Sequence, residues 1–277
     1  MEKIVGDYYI ENGVLEQSSN FPKTDIDSVI IYEVIRVINN TALFFEEHYN
    51  RLINSIYLAK FEYKTIPDKE VIINYINTLI TNNNLSEGNV KLGLMYSDNK
   101  FISLKIYFIP HAYPTIEDYE NGVNLISINA IRKQPNIKIR NRSLRKQSND
   151  IIKENNIFEV LLINKENNIT EGSRSNIFFI KDDVVYTAKG KDILKGITWQ
   201  YVVRICNSLG IKVHEQDINL SEINNFDSCF LTGTSPKVMP INKIDDIDFQ
   251  VRNYLTNNIL EEYNKIINKY TEDKNGY

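Results

Sequence analysis

The alternation of apolar and polar residues divides the first 112 residues into predicted strands and helices. Runs that alternate with period two are interrupted by Asn, Asp and Gly pairs, which favour tight hairpin turns. Two other stretches repeat apolar residues with helical spacing. In order, the pattern predicts a hairpin over 5–16, two strands around Asn39-Asn40, helices over 46–60 and from Pro67-Asp68 to about Ile80, and a hairpin around Asp98-Asn99. This mixture indicates an α+β domain.

A polar stretch with a proline and a glycine, residues 113–122, is the predicted interdomain linker. After it the pattern predicts a strand in NLISINAI, an extended segment ending near Lys138, and a helix. The elements predicted next are strands in FEVLLIN, ITEGSRSNIFFI and VVYTA, a helix ending at Gly210, a strand in IKVHEQDI, a helical turn in SEINNFD, a strand in SCFLTG and a terminal helix from FQVRN onwards. We therefore predict a small α+β domain over 1–112 and a larger α/β domain over 123–277.

The composition is that of a folded protein with a sizeable core, because 42% of the 277 residues are hydrophobic. A net charge of −4 without long runs of one sign gives no reason to expect a nucleic acid or membrane partner. No apolar stretch reaches membrane-spanning length, and the N-terminal residues lack the features of a signal peptide. Cys206 and Cys229 are far apart in apolar segments, as expected of reduced thiols in a cytoplasmic protein. The spacing of His48, His111 and His214 predicts neither a metal site nor a Ser/His/Asp triad.

The stretch from Ile137 to Asn176 contains the most informative pair of residues. Lys138 lies at the end of an extended segment, and Glu171 lies in a predicted strand–turn–strand unit. An amine and a carboxylate are what pyridoxal phosphate (PLP) chemistry needs, since the amine forms a Schiff base with the aldehyde and the carboxylate keeps the pyridine nitrogen protonated. Most lysines are solvated surface residues, so these residues alone only suggest this chemistry.

The motifs of this stretch resemble those of the class IV (fold type IV) PLP enzymes, which include branched-chain and D-amino acid aminotransferases and aminodeoxychorismate lyase. The resemblance is carried by IKIRN, the helix after it, FEVLL and ITEGSRSNIFFI. In that family the Schiff-base lysine stands three residues before an asparagine, which implies Lys138 with Asn141. Lys146 with Asn149 has the same spacing, but a helix from there to FEVLL would have only about two turns. Counting from Lys138 leaves room for the full helix that the family has. We therefore assign the cofactor to Lys138.

Three further motifs resemble the phosphate-binding motifs of the family. HYNRL implies that Arg51 binds the PLP phosphate through two parallel hydrogen bonds. LKGIT places Ile197 and Thr198 at a helix start, where backbone N–H groups and the helix dipole favour an anion. TGTS, after an apolar strand, implies a phosphate contact by Thr234. Trp199 replaces the arginine that usually follows GIT, which leaves the role of the backbone intact.

The remaining correspondences concern the pyridine ring and the substrate. The TEGxxxN pattern implies that Glu171 contacts the ring nitrogen, where a protonated pyridinium balances the buried carboxylate. In the same pattern, Asn176 is expected to order the turn. Tyr32, in IYEVIRV, matches the family's tyrosine that faces the active site from the small domain.

The departures from the family pattern occur where substrates are selected. NVKLGLMYSDN lacks the arginine that aminotransferases of this class use for the substrate carboxylate, and it also lacks the serine–arginine–glycine run of the lyase. Asp27-Ser28-Val29-Ile30-Ile31 replaces the family's glycine–aspartate–glycine before YEV. Arg174 and Lys237 are the candidates for a replacement anion-binding residue on the substrate side.

The resemblance implies a PLP-dependent aminotransferase that moves an amino group between a branched-chain or similar amino acid and a 2-oxo acid. One alternative is a lyase of the aminodeoxychorismate type, which releases pyruvate with the same lysine. Another is a non-catalytic relative that retains the fold. The resemblance also implies a homodimer, and the Tyr-rich strands of the small domain fit an interface.

Overall fold

The computed structural model describes residues 3–22 and 28–275, so that Asp27, in the segment that departs from the family, lies outside the described residues. The chain forms two units. One consists of Met1–Ala112, Ile137–Arg140 and Ile267–Tyr277, and the other of Tyr113–Asn136 and Asn141–Ile266. The domain boundaries expected from the sequence (1–112, 113–122 and 123–277) stay a prediction.

The first unit is built on a six-stranded sheet in the order β2-β1-β6-β5-β3-β4. Its strands are β1 Val5–Glu11, β2 Val14–Gln17, β3 Val29–Ile38, β4 Thr41–Ala42, β5 Gly88–Ser97 and β6 Lys100–Ile109. All neighbouring strands are antiparallel. Two helices, α1 Phe45–Ala59 and α2 Lys69–Asn83, pack their apolar faces against one side of this sheet.

The hairpins predicted in this unit are confirmed, and their turns have the expected chemistry. Asn12-Gly13, Asn39-Asn40 and Asp98-Asn99 all have positive φ values. Asn, Asp and Gly tolerate this left-handed backbone, which matches the twist of a two-residue hairpin turn. The sequence therefore sets the strand register of this unit locally.

The second unit is built on a nine-stranded sheet in the order β12-β11-β10-β13-β14-β7-β8-β9, with β15 paired to β14. Its strands are β7 Val123–Asn129, β8 Glu159–Ile163, β9 Ile169–Gly172, β10 Asn176–Lys181, β11 Val184–Thr187, β12 Val213–Glu215, β13 Ser228–Gly233, β14 Lys237–Ile244 and β15 Ile247–Asp248. The sheet is mixed, because β7 pairs in parallel with both β8 and β14.

The described residues form four further α-helices. They are α3 Ile116–Asn121, α4 Arg142–Asn155, α5 Ile197–Ser208 and α6 Tyr254–Asn275. In the part of the chain that the structure describes, no helix combines the length and apolarity needed to cross a membrane.

The strand–turn–strand unit predicted around Glu171 is confirmed, because ITEGSRSNIFFI forms β9 and β10, and Gly172 N donates to Ser175 O across the tight turn between them. At other places the secondary structure corrects the sequence predictions. The strand predicted in IKVHEQDI is reduced to Val213–Glu215, and β14 and β15 were not predicted. Within the proposed linker, Thr115 and Asp118 form a capping box that starts α3. The terminal helix starts at Tyr254, after Asn253, whose side chain accepts from Leu255 N.

Candidate active site

Lys138 lies in the first unit and is held through its backbone by a strand and a helix. Tyr32 N, on β3, donates to Lys138 O at 3.1 Å, and Lys138 N donates to the buried Ser55 Oγ, on α1, at 3.3 Å. Arg140 N donates to Ile30 O at 2.9 Å, which continues the pairing with β3. The half-buried side chain places Nζ 5.3 Å from the centre of the Tyr32 ring. The structure therefore brings together Lys138 and Tyr32, two residues that the sequence proposed for the site.

Lys146, the competing lysine, is exposed on the surface of α4. Asn141 is the N-cap of this helix, and its Oδ1 accepts from Leu144 N at 3.1 Å. The helix expected after Lys138 is thus confirmed, and Lys146 lies inside it. This geometry supports the choice of Lys138, whose attachment to the cofactor stays a prediction.

Arg51 is fixed by a buried carboxylate on the neighbouring strand. Glu33, on β3, is 0% exposed and accepts from Arg51 through both of its oxygens, with Nε 2.8 Å from Oε1. His48 Nδ1 lies 2.8 Å from Glu33 Oε2. His48 and Arg51 share one face of α1, as their spacing predicts. Two of the guanidinium's nitrogens are therefore held by Glu33, which orients the side chain.

The electrostatics of this cluster keep the carboxylate charged and the imidazole neutral. Burial acts to raise the pKa of Glu33, but the charge and hydrogen bonds of Arg51, with a smaller effect of His48, lower it to about 2. Burial also lowers the pKa of His48, against the opposing effect of the Glu33 carboxylate. A neutral imidazole that faces a carboxylate through Nδ1 carries its proton there, so His48 donates to Glu33.

Replacing Glu33 by glutamine is expected to lower the free energy of unfolding by about 3–5 kcal/mol, because a largely buried guanidinium loses its charge partner. The pKa of Glu33 is about 2 in the fold, against an ordinary value of 4.5. Its contribution is therefore fully present above pH 4.5 and is lost as the pH falls through about 2. Urea unfolding across this acidic range should show the gap between wild type and variant closing.

The matched control is Glu70→Gln, because that side chain is 80% exposed on α2. We expect this substitution to change stability by only about 0.5 kcal/mol or less. A gap between wild type and the Glu33 variant that stays constant below pH 4.5 would contradict the assigned protonation state.

Glu171 lies in the second unit, 3% exposed, beside an arginine that the sequence analysis missed. Arg132 Nε lies 3.0 Å from Glu171 Oε1, an ion-pair distance, although the two groups are not aligned as a hydrogen bond. Arg132 Nη2 donates to Ser173 O at 2.7 Å. Leu194 N donates to Glu171 Oε2 at 3.1 Å. A neighbouring cation favours the charged form of a carboxylate, which is the form that the predicted contact with a ring nitrogen requires.

Asn176 orders the loop that leads to α5. Its Nδ2 donates to Leu194 O at 2.9 Å, and its Oδ1 accepts from Gly196 N at 3.1 Å. Because Glu171 accepts from the N–H of Leu194, Glu171 and Asn176 hold the backbone of the same residue from both sides. A Cβ at Gly196 would lie 2.6 Å from Asn176 Oδ1, so the close approach requires glycine.

The start of α5 can bind an anion. Ile197 and Thr198 are its first residues, and a helix start offers N–H groups that have no acceptor in a preceding turn. The hydroxyl of Thr198 lies 3.2 Å from Tyr263 Oη. Trp199, which replaces the family's arginine, is buried and donates from Nε1 to Thr187 Oγ1 at 3.3 Å. It therefore anchors the helix to β11.

The remaining candidates of the second unit differ in their surroundings. Thr234 is half-buried in the turn between β13 and β14. Arg174 is exposed at the tip of the β9–β10 turn and donates to Asn149 on α4. Lys237 donates from Nζ to Asn264 Oδ1 at 2.7 Å. Arg174 and Lys237 thus each donate to an asparagine, and a role of either in anion binding stays a prediction.

The residue types fit PLP. A guanidinium in one unit, and a helix start and threonine hydroxyls in the other, are each groups of the type that binds a phosphate, and a buried carboxylate suits a protonated ring nitrogen. Thr232 lies next to the predicted phosphate turn, and its buried hydroxyl makes no hydrogen bond with any of the described residues. It is therefore available to donate to a further acceptor.

Sequence reasoning missed Glu33, Ser55 and Arg132. A signal existed for Glu33, which is a charged residue among the alternating buried positions of β3. Arg132 stands six residues before Lys138 in a polar stretch, with nothing in the pattern to separate it from Lys133. Its contact with Glu171 depends on how residues far apart in the sequence fold together.

Comparisons with known proteins agree with this fold. The family model of amino-transferase class IV matches residues 30–244. A probable branched-chain-amino-acid aminotransferase of Rickettsia bellii (strain RML369-C) is 39% identical over 112 residues, which cover 39% of each chain. The D-alanine aminotransferase of Bacillus licheniformis is 27% identical over 261 residues, which cover 86% of this chain and 90% of that enzyme.

Among solved structures, the branched-chain aminotransferase of the thermophilic archaeon Thermoproteus uzoniensis, solved with norvaline, superposes with a TM-score of 0.82 at 22% identity, covering 97% of each chain. Such likeness to solved aminotransferases confirms the two-domain α+β fold that the resemblance implied. The family match covers most of the chain. The chain therefore belongs to the class IV aminotransferases, a family of enzymes that use PLP.

Proposed function

We propose that the chain is a PLP-dependent aminotransferase that transfers an amino group between an amino acid and a 2-oxo acid. The observation that carries this proposal is the placement of Lys138, fixed by β3 and α1 with its amine beside Tyr32. A nucleophilic amine that is held through its backbone keeps its position whether or not its side chain is bonded to a cofactor.

The residues that would hold PLP are those expected from the resemblance. Lys138 would supply the covalent link, and Glu171 would hold the proton on the ring nitrogen. The phosphate would be bound by Arg51, Ile197, Thr198 and Thr234. When bound, PLP supplies an electron sink that weakens the bonds at the α-carbon of the amino acid.

The chain's own part in the reaction is to bind, orient and move a proton. With PLP and an amino acid bound, the amine of Lys138 would act as general base and then as general acid at the α-carbon. The ring of Tyr32 lies beside the same amine and limits the directions from which the amine can approach the α-carbon. Glu33 holds two nitrogens of Arg51, so the guanidinium meets the phosphate without losing further side-chain freedom.

For the substrate we propose a branched-chain or similar amino acid, with Tyr32 and Arg174 on the substrate side. The relatives include enzymes named for branched-chain amino acids and for D-alanine, so both enantiomers belong in the test. The assay incubates purified protein and PLP with single L- and D-amino acids and 2-oxoglutarate or pyruvate. We expect amino transfer that requires the 2-oxo acid.

A lyase of the aminodeoxychorismate type is the second candidate. β5 lacks the arginine that the resemblance associates with substrate carboxylates in aminotransferases, but it also lacks the serine–arginine–glycine run of the lyase, so the aminotransferase stays the first proposal. A lyase releases pyruvate from aminodeoxychorismate without an amino acceptor, so that outcome would replace the first proposal. If neither reaction occurs in PLP-loaded protein, the result would support the third hypothesis, a non-catalytic relative that retains the fold.

We also propose a cytoplasmic homodimer. Exposed aromatic residues of the first unit, Tyr57 and Tyr63, support an interface, and the reduced, buried Cys206 and Cys229 support a cytoplasmic location. Gel filtration with light scattering should give twice the mass of 32.3 kDa. A fully active monomer at micromolar concentration would refute the dimer.

A further inference from the structure

Glu159 is a buried carboxylate to which the proposed reaction gives no role. It is the first residue of β8, and its side chain is 4% exposed. Oε1 accepts from Ser173 Oγ at 2.7 Å and from Val160 N at 3.0 Å. Oε2 accepts from Arg174 N at 3.2 Å and from Ser175 Oγ at 3.4 Å. A buried carboxylate needs such donors, and three of the four come from a single turn, Ser173–Ser175.

This turn connects the two residues that hold Leu194. β9 ends at Gly172, directly after Glu171, and β10 begins with Asn176. The turn is short, so a shift of its backbone must move one or both of these side chains. Because Glu171 and Asn176 bind opposite sides of the Leu194 backbone, such a shift also reaches the loop before α5.

Packing around the turn leaves little room for adjustment. A Cβ at Gly172 would lie 2.1 Å from Ser175 Oγ and 3.2 Å from Glu159 Cγ. On the carbonyl side, Arg132 donates to Ser173 O. The turn is therefore held by a carboxylate that accepts its N–H and O–H groups and by a guanidinium that donates to its carbonyl.

We propose that Glu159 is a positioning residue that sets Glu171 and Asn176 by holding the Ser173–Ser175 turn. It acts through the turn and touches neither substrate nor cofactor. Its effect on PLP rests on the proposed function, whereas its effect on the turn concerns only this chain's backbone. The two effects can be measured separately.

Glu159→Gln is the sharpest test because it conserves shape and removes one acceptor. The carboxylate accepts a backbone N–H on each oxygen, from Val160 and from Arg174. A glutamine has one acceptor oxygen and an NH2 group, so in either orientation one of these N–H groups faces a donor. Serine hydroxyls can rotate to accept from the NH2 group, but a backbone N–H cannot. In one orientation the affected group is Arg174 N, within the turn. In the other it is Val160 N, and the side chain must then move away from Val160, which changes its hydrogen bonds to the turn.

The experiment compares backbone hydrogen exchange, followed by mass spectrometry, with PLP binding. In cofactor-free Glu159→Gln, peptides that span 171–176 should exchange faster than in wild type. Loss of a hydrogen bond to a charged group should weaken PLP binding roughly ten- to hundredfold. The pH midpoint of the near-visible absorbance of bound PLP should also shift, a change that a general loss of stability does not produce.

The matched control is Glu166→Gln, an exposed glutamate in the turn between β8 and β9. It should leave exchange, PLP affinity and the pH midpoint unchanged. If Glu159→Gln does not fold, the double variant Ser173→Ala/Ser175→Ala removes two donors of the same carboxylate and should change all three measurements in the same direction, by less.

Unchanged exchange over 171–176 in the variant overturns the inference. Faster exchange with unchanged PLP affinity and pH midpoint overturns it as well, because the turn would then not position the site. A wild-type protein that does not bind PLP would refute the proposed function. In that case the hydrogen exchange over 171–176 alone decides whether Glu159 holds the Ser173–Ser175 turn.

Discussion

Replacing Lys138 by alanine is expected to lower turnover by about a thousandfold or more. The same side chain is proposed to bond the cofactor and to move the proton at the α-carbon, so one substitution removes both. The fold should persist, because the hydrogen bonds to Tyr32 and Ser55 are made by the backbone of Lys138 and not by its side chain. Steady-state rates and the near-visible absorbance of PLP-loaded protein measure the two losses.

Lys146→Ala is the matched control. This lysine is exposed on α4, where an alanine changes stability by only a few tenths of a kcal/mol. It should keep both the yellow colour and most of the activity. If Lys138→Ala retained full turnover while Lys146→Ala lost it, the family's Schiff-base lysine would be Lys146, and our assignment to Lys138 would be wrong.

Replacing Glu171 by glutamine is expected to lower kcat by about a hundred- to thousandfold. A glutamine carries no charge with which to hold the proton on the ring nitrogen, so the electron sink is weakened. The substitution also leaves Arg132 without its acidic neighbour at 3.0 Å, which should lower stability. Steady-state kinetics with the best amino acid substrate, together with thermal unfolding, separate these two effects.

Glu154→Gln, on the exposed face of α4, is the control for this substitution. We expect wild-type kcat and stability from it. A Glu171→Gln variant with wild-type kcat and a lower melting temperature would show that Glu171 serves the ion pair with Arg132 and not the cofactor.

Much of the fold could be predicted because its signals are local. The Asn-Gly, Asn-Asn and Asp-Asn pairs specify turns whose backbone only a few residue types adopt, and α1 and α5 show clear apolar stripes. The family motifs then identified Lys138 and Glu171 as candidates. These parts depend on residues that are neighbours in the sequence.

The missed features depend on contacts between distant residues. β14 was not predicted because its residues, KVMPINKI, contain a proline and do not alternate clearly, and pairing with β13 and β7 makes it a strand. Glu33 and Arg51 are 18 residues apart and meet only when α1 packs on β3. The ion pair of Arg132 with Glu171 likewise arises from tertiary structure.

The most direct test of the central claim is to trap the cofactor on its lysine. Borohydride reduction of PLP-loaded protein should abolish the near-visible absorbance and fix the cofactor permanently on one side chain. Peptide mapping by mass spectrometry then identifies that residue. We predict that the label lies on Lys138. A label on Lys146 or any other lysine, or a protein that cannot be loaded with PLP, would contradict the account.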